Sequence, residues 1–125
     1  MRTSQGQLPQ QVQLVTEPDA MYYVIKKQPA NVTCEAYGAT RIVFTCAGSE
    51  IPASSQRTYE TYDEARGDTL VRSTIQVTRS DLVNQKEEDF WCECSAVADD
   101  TGVSVKSRRA IISLSCEYNN YDYND

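Results

Sequence analysis

Five cysteines, Cys34, Cys46, Cys92, Cys94 and Cys116, are the most reactive side chains of this 125-residue chain. Cysteine thiolates either bind a metal such as zinc or pair as disulfides. Structural zinc sites usually contain two cysteines separated by about two to four residues, whereas the first four cysteines here form a C-x11-C segment and a C-x-C segment. The spacing therefore favours disulfides, which form in oxidising compartments and are rare in the cytosol.

The chain contains no histidine, and its absence excludes several kinds of active site. Ser-His-Asp and Cys-His mechanisms need an imidazole as the base, and histidine is also a common ligand of transition metals. The net charge of −6 argues against nucleic acid as the main partner, because phosphate contacts need a basic face. We therefore expect a protein that is not an enzyme and that needs no cofactor and no metal.

Side chains that could pair must be positioned by strands, because the composition and the alternation of residues favour β-structure. Valine, threonine, isoleucine and tyrosine are abundant, and these residues suit a half-buried pleated surface. Alternation predicts strands at residues 12–15, 22–25, 31–37, 41–46, 58–62, 70–79, 89–97 and 103–114. A crossover with one helical turn is predicted at 80–88. Short strands with turn signals at this spacing are typical of a β-sandwich.

The cysteines match the key positions of an immunoglobulin domain. That fold has one cysteine on strand B, one on strand F, a tryptophan on strand C, and a tyrosine two residues before the second cysteine. With Cys34 on strand B and Cys94 on strand F, Cys46 and Cys92 stand where the tryptophan and the tyrosine belong. Residues two apart in a strand share a face, so Cys92 and Cys94 both point inward. We favour the pairs Cys34–Cys94 and Cys46–Cys92, although four cysteines allow three pairings.

The predicted fold is therefore all-β, an immunoglobulin-like β-sandwich of I-set or variable-like type with two disulfides in its core. Residues 1–11 are polar and are predicted to be a flexible N-terminal segment, residues 12–115 the domain, and residues 116–125 an acidic linker or tail rich in tyrosine and asparagine. No run of 18 apolar residues is present, so we expect that this stretch does not itself span a membrane.

The chain resembles the first immunoglobulin domain of netrin receptors of the uncoordinated-five class. The matching segments lie in order over roughly residues 14–114 and are EPDA (17–20), YVIK (23–26), PANVTC (29–34), ATRIVFTC (39–46), LVR (70–72), DFWCEC (89–94) and KSRRA (106–110). A W-C-x-C strand together with a C-x11-C segment is unusual among immunoglobulin domains. The family also uses a doubled disulfide with the pairing given above. Cys116 and the tail that follows it depart from the family pattern.

The resemblance implies a non-enzymatic recognition domain in the extracellular part of a plasma-membrane receptor that mediates repulsive axon guidance. The partners that it implies are netrin, leucine-rich-repeat adhesion proteins, and glypican or heparan sulfate. A second interpretation is an adhesion or structural immunoglobulin domain that self-associates, with Cys116 as a crosslink between two chains.

Trp91 and a basic run are the candidate binding residues on the surface. With Cys92 inward, Trp91 is predicted to point outward, and tryptophan is enriched at binding hot spots. Lys106, Arg108 and Arg109 form the densest basic run of the chain. We expect Lys106 and Arg108 to line up with Arg41 and to form, with Arg109, a binding site for heparan sulfate or another anion.

Two short motifs have their own interpretations. Asn31-Val32-Thr33 is a sequon for N-glycosylation, which predicts a glycan on Asn31. Arg66-Gly67-Asp68 spells an integrin-type tripeptide. It falls between two predicted strands, where glycine and aspartate are ordinary turn residues, so we interpret it as a turn.

Overall fold

The computed structural model describes residues 11–83 and 89–115, which form two packed β-sheets. The first sheet has the order β1-β3-β7-β6, and the second has the order β2-β10-β8-β4-β5, with β9 pairing β8 as well. The strands are β1 (Gln13–Thr16), β2 (Met21–Val24), β3 (Ala30–Tyr37), β4 (Arg41–Cys46), β5 (Ser49–Glu50), β6 (Arg57–Asp63), β7 (Asp68–Val77), β8 (Phe90–Ala98), β9 (Val103–Lys106) and β10 (Ala110–Leu114). All pairings are antiparallel except that of β2 with β10.

Strict alternation along the central strands puts the core between the sheets. In β3, every second residue from Ala30 to Ala36 is buried, and β4 and the second half of β7 show the same pattern. Phe44 on β4 is the largest of the fully buried side chains. The buried residues of β3, β4 and β7 include Val32, Cys34, Ala36, Ile42, Phe44, Cys46, Val71, Ser73, Ile75 and Val77.

Both predicted disulfides are present: one connects the two sheets, and the other lies within the second sheet. Cys34–Cys94 joins β3 of the first sheet to β8 of the second, with the two Cα atoms 6.7 Å apart. Cys46–Cys92 joins two directly opposite residues of the neighbouring strands β4 and β8, whose Cα atoms are 4.1 Å apart. The four cysteines of the described residues are therefore all used in disulfides, and β8 contributes one cysteine to each of them.

The structure departs from the predicted elements at two places. Residues 103–114 are not one strand, because 107–109 separate β9 from β10. Between β4 and β6, where no strand is predicted, the chain forms the short strand β5 and one turn of 3-10 helix, Ala53–Ser55. The predicted helical turn in the crossover is confirmed as α1 (Arg79–Val83).

Several predictions concern residues outside the described ranges. Cys116 and the rest of the predicted tail at 116–125 lie there, as do residues 1–10 of the predicted N-terminal segment. The domain boundaries and the crosslinking role of Cys116 therefore stay predictions. Across 11–83 and 89–115, no helix has the length and apolar character needed to cross a membrane.

Candidate recognition surface

A bulge in the last strands of the second sheet organises the outer face of that sheet. Lys106 pairs with Ser95, and Ala110 pairs with Cys92. Three residues, 107–109, therefore face only two residues of β8, 93–94. One extra residue on one strand is the signature of a β-bulge, which changes the faces to which the following side chains point.

Ser107 holds this bulge against β8. Its N–H donates to the Cys94 carbonyl over 2.8 Å, and its hydroxyl oxygen accepts the Cys94 N–H over 3.0 Å. The hydroxyl in turn donates to the Arg108 carbonyl over 2.8 Å. Ser107 is buried, so its side chain satisfies backbone groups that water does not reach.

The bulge brings two cations to one carboxylate, that of Glu93. Lys106 and Arg109 are three residues apart and would lie on opposite faces of a regular strand. Here Lys106 Nζ lies 3.7 Å from Glu93 Oε2, and Arg109 Nε lies 3.4 Å from Glu93 Oε1. The side chain of Glu93 is only 12% exposed, while those of Lys106 and Arg109 are 65% and 60% exposed.

Trp91 joins this group through Arg109. The Arg109 guanidinium carbon lies 3.8 Å from the centre of the Trp91 ring, a distance typical of a cation–π contact. Trp91 points away from the core, as its position beside Cys92 predicts, but it is half-buried. We call Trp91, Glu93, Lys106 and Arg109 the Trp91 cluster.

Arg108 does not share the face of Lys106, contrary to the prediction. Its Nε donates to the Pro18 carbonyl over 2.8 Å, and its backbone N–H donates to Glu17 Oε1 over 2.8 Å. The extra residue in the bulge is the reason, because it gives Arg109 the orientation that a regular strand would give Arg108. Arg108 instead attaches this bulge to the segment between β1 and β2.

Arg41 lies on the same face as the Trp91 cluster but has its own partner. Its Nε donates to Asp99 Oδ1 over 3.0 Å. The Thr40 hydroxyl also donates to Asp99, over 2.7 Å, and together these contacts lower the pKa of Asp99. Arg41 pairs with Val97, which pairs with Ser104, two residues before Lys106. Standard strand geometry then separates the Cα atoms of Arg41 and Lys106 by about 12 Å.

Asn31, the predicted glycosylation site, lies on the opposite side of the molecule. It is exposed on β3 of the first sheet, directly opposite Gln76 on β7. The hydroxyl oxygens of Thr33 and Thr74 are 2.8 Å apart on the same face. On this face, Arg72 Nε lies 3.9 Å from Glu35 Oε2. Asn31 and the Trp91 cluster therefore occupy the outer faces of different sheets.

The Arg66-Gly67-Asp68 tripeptide forms part of the turn between β6 and β7, as predicted. The Arg66 guanidinium carbon lies 3.8 Å from the centre of the Tyr37 ring. The Tyr37 hydroxyl donates to Asp63 over 2.7 Å, which raises the pKa of Tyr37 and lowers that of Asp63. Gly67 has φ of +68°, a conformation that favours glycine. Arg66 is thus engaged in holding the turn.

None of the described residues forms a group of three or more histidines, cysteines, aspartates or glutamates that could hold a metal ion. The outer face of the second sheet carries the ring of Trp91 and the basic side chains of Arg41, Lys106 and Arg109. These groups are suited to binding an anion or a protein surface.

A family model described as the netrin receptor unc-5 N-terminal domain matches residues 4–112. Netrin receptor UNC5D of Rattus norvegicus and the same receptor of Mus musculus are each 31% identical to this chain over 109 residues. The match covers 86% of this chain but 11% of each relative. The chain therefore spans about a tenth of the length of these relatives.

Two solved structures share the fold at low sequence identity. The crystal structure of Rst D1-D2 aligns with a TM-score of 0.63 and 8% identity, over 83% of this chain and 48% of that chain. The fourth constant immunoglobulin domain of nurse shark IgNAR aligns with a TM-score of 0.52 and 14% identity, over 81% of this chain and 91% of that chain. These neighbours confirm the predicted immunoglobulin-like sandwich.

Proposed function

This chain belongs to the family of netrin receptor unc-5 N-terminal domains, and we propose that it is a non-catalytic recognition domain in the extracellular part of a cell-surface receptor for repulsive axon guidance. Netrin is its proposed protein ligand. The proposal rests on the match over residues 4–112. The two disulfides support an extracellular setting, because such bonds persist in oxidising compartments.

The Trp91 cluster is the proposed contact surface for a protein ligand. Binding hot spots are enriched in tryptophan and arginine that are packed but still reachable. Trp91 is half-buried beneath Arg109, whose side chain is 60% exposed. A partner that covers Arg109 would also seal Trp91 from water. We propose the same face for leucine-rich-repeat adhesion proteins.

Heparan sulfate, free or carried by a glypican, is a second proposed ligand of this face. The observation that supports it is the pair of exposed cations, Lys106 and Arg109, held side by side by the bulge. Sulfate groups bind clustered cations even on an acidic protein, because salt screens the more distant charges. Arg41 extends the basic face beyond the pair, and Arg108 borders it from the bulge.

An N-linked glycan on Asn31 completes the proposal. Asn31 is exposed on β3 of the first sheet, so its glycan would cover that sheet and leave the outer face of the second sheet open to ligands. Secretion from cells with an N-glycosylation pathway should give a protein whose mass falls on treatment with an amide-cleaving glycosidase. The Asn31→Gln variant should show no such change, and an unchanged mass for the wild type would disprove the glycan.

Surface plasmon resonance of netrin and heparin over the immobilised domain tests both ligands. We expect Trp91→Ala to weaken netrin binding about tenfold or more, since hot-spot residues are worth about 2 kcal/mol. We expect Lys106→Glu/Arg109→Glu to abolish heparin binding, and Arg108→Glu and Arg41→Glu to weaken it less.

Arg72→Glu is the matched control for these charge reversals. Arg72 is an arginine with an acidic partner on the outer face of the other sheet, and its reversal should leave both affinities unchanged. Wild-type protein that binds neither netrin nor heparin would disprove the proposed ligands. Equal losses in Arg72→Glu and in the double variant would disprove the proposed face.

A further inference from the structure

Glu93 is an unusual residue for the outer face of a sheet, because it is a carboxylate that is almost hidden from solvent. Its side chain is 12% exposed, although it points to the same face as the 65% exposed Lys106. Charged side chains are rarely this buried unless they are paired. The two cations of the Trp91 cluster provide that pairing, at 3.7 Å and 3.4 Å.

The Trp91 cluster contains more positive than negative charges, and this distinguishes it from two other ion pairs of the described surface, Arg41–Asp99 and Arg72–Glu35. One carboxylate faces two cations, so the Trp91 cluster has a formal charge of +1. In contrast, Arg41 with Asp99 and Arg72 with Glu35 each balance one charge with one. An anionic ligand that approaches Lys106 and Arg109 therefore meets two attractive charges and, just beneath them, one repulsive charge.

We infer that Glu93 is an internal counter-anion that competes with sulfate for Lys106 and Arg109 and so sets the affinity of this face for a sulfated glycosaminoglycan. This inference rests on the proposed binding of heparan sulfate. Lys106 and Arg109 are each more than half exposed, so a sulfate can reach them from solvent while Glu93 stays in place. Binding then has to overcome the attraction of both cations to Glu93 and the repulsion between Glu93 and the sulfate.

The opposite role would be structural, with Glu93 needed to hold the two cations in position. The two roles predict effects of opposite sign when the charge is removed. A counter-anion weakens binding, so its neutral isostere binds more tightly. A positioning residue strengthens binding, so its neutral isostere binds more weakly.

The test is Glu93→Gln, measured as the NaCl concentration of elution from a heparin column and as the Kd for heparin. We expect elution at higher salt and a Kd lower by about three- to a hundredfold, the range that Coulomb's law gives for the loss of one like charge about 6 Å from a sulfate at effective dielectric constants of about 80 to about 20. Glu35→Gln is the matched control. It makes the same change in net charge beside Arg72 on the other sheet, and its elution should equal that of the wild type.

A second variant tests the inference without depending on the folding of the first. Ser95 lies directly opposite Lys106, so Ser95→Glu adds a carboxylate beside this cation in a favourable cross-strand pair. We expect it to weaken heparin binding by a similar factor while thermal unfolding stays close to that of the wild type. Unchanged heparin binding in Ser95→Glu would overturn the inference.

The outcomes separate this inference from the proposal on which it rests. If the wild type binds heparin and Glu93→Gln binds equally or more weakly, the counter-anion is disproved and the glycosaminoglycan proposal stands. If only Glu93→Gln binds, the inference is supported and wild-type binding is disproved. If neither binds, both are overturned. An equal gain in Glu35→Gln would trace the effect to net charge and would also overturn the inference.

Discussion

The two faces of β8 differ in what holds their side chains in place. On the inner face, Cys92 and Cys94 are fully buried and are held by covalent bonds to β4 and β3. On the outer face, Trp91 and Glu93 are held by Lys106 and Arg109 through ion pairs and a ring contact. The inner face depends on residues that alternate within one strand, whereas the outer face depends on a bulge in the neighbouring strands.

If the proposed ligands bind the outer face, this difference separates stability from recognition along a single strand. Fixed bonds on the inner face keep β8 in position whatever happens at the surface. A proposed ligand that takes over the partners of the outer side chains would therefore leave the bonds of the core in place. Perturbing the two faces in turn should give effects of different size and kind.

The largest effect is expected from removing the disulfides of the inner face. With one bridge closed, the other closes a ring of about 15 residues, and the chain-entropy model gives about 3 kcal/mol for it. Cys34→Ala/Cys94→Ala and Cys46→Ala/Cys92→Ala should each lower the free energy of unfolding by about this amount. Removing all four cysteines should cost about 7 kcal/mol, because the first bridge closes a much larger loop. Denaturant unfolding without reductant measures all three variants.

Both disulfides end on β8. Removing either one first is therefore expected to lower the free energy of unfolding by about 3 kcal/mol, and removing the remaining one is expected to lower it by more. These estimates would be contradicted if a variant without one disulfide were already as unstable as the variant without both. Heparin binding that survives the loss of either bridge would agree with the division between the faces.

A smaller loss of stability is expected from changing Ser107, the buried residue that connects the bulge to β8. The Ser107→Ala variant removes the oxygen that accepts the Cys94 N–H. A buried donor without its partner costs about 1–3 kcal/mol, so the free energy of unfolding should fall by about 2 kcal/mol. Ser104→Ala is the control, since Ser104 is exposed on β9 and its loss should change little. Equal stability of the two variants would show that the hydroxyl does not support the bulge.

A still smaller effect is expected on the outer face itself. The Arg109→Ala variant loses the contact with Trp91 and one ion pair with Glu93. Contacts of these kinds at partly exposed sites are worth about 1 kcal/mol or less each, so unfolding free energy should fall by about 1 kcal/mol. Trp91 is the only tryptophan, so its fluorescence should shift to longer wavelength as water reaches the ring. Arg72→Ala should leave the emission unchanged. An equal shift in Arg72→Ala would show that the change in emission comes from a general change of the fold and not from the loss of the Arg109–Trp91 contact.

The smallest effect is expected from pH at the exposed ion pair of Arg41 and Asp99. The Thr40 hydroxyl and Arg41 lower the pKa of Asp99 in the folded protein. A lowered pKa adds stability above the usual aspartate pKa of about 4, and this stability is lost as pH falls through the lowered value. The Tm of Asp99→Asn should therefore lie slightly below that of the wild type at about pH 6 and approach it at about pH 2. A difference that grows in acid would contradict this sign.

The sequence was sufficient to predict the inner face but not the outer one. Cys92 and Cys94 are two residues apart, and Cys34 and Cys46 match fixed positions of the immunoglobulin pattern, so alternation and this pattern together placed all four inward. The outer orientation of Trp91 followed from the same rule. Its cover by Arg109 did not, because that contact crosses between strands and depends on the bulge.

Glu93 and Ser107 are the residues that sequence reasoning missed. The one-residue difference between the 106–95 and 110–92 pairings cannot be read from alternation within either strand. A serine followed by two arginines is typical of a solvent-exposed segment. Only the hydrogen bonds between Ser107 and the backbone of Cys94 show that Ser107 is buried and anchors the bulge. The predicted alignment of Lys106 with Arg108 failed for this reason.

The bulge also makes the length of the 107–109 segment a determinant of the surface. Deleting Ser107 would restore regular pairing with β8 between Lys106 and Ala110. Arg109 would then stay on the outer face opposite Glu93, and Arg108 would turn inward opposite Cys94. The chain would then keep the pair of cations on the outer face but turn an unpaired arginine toward the apolar core, which is costly for stability. In comparisons between relatives, a one-residue gap at this point therefore matters more than an exchange of one basic residue for another.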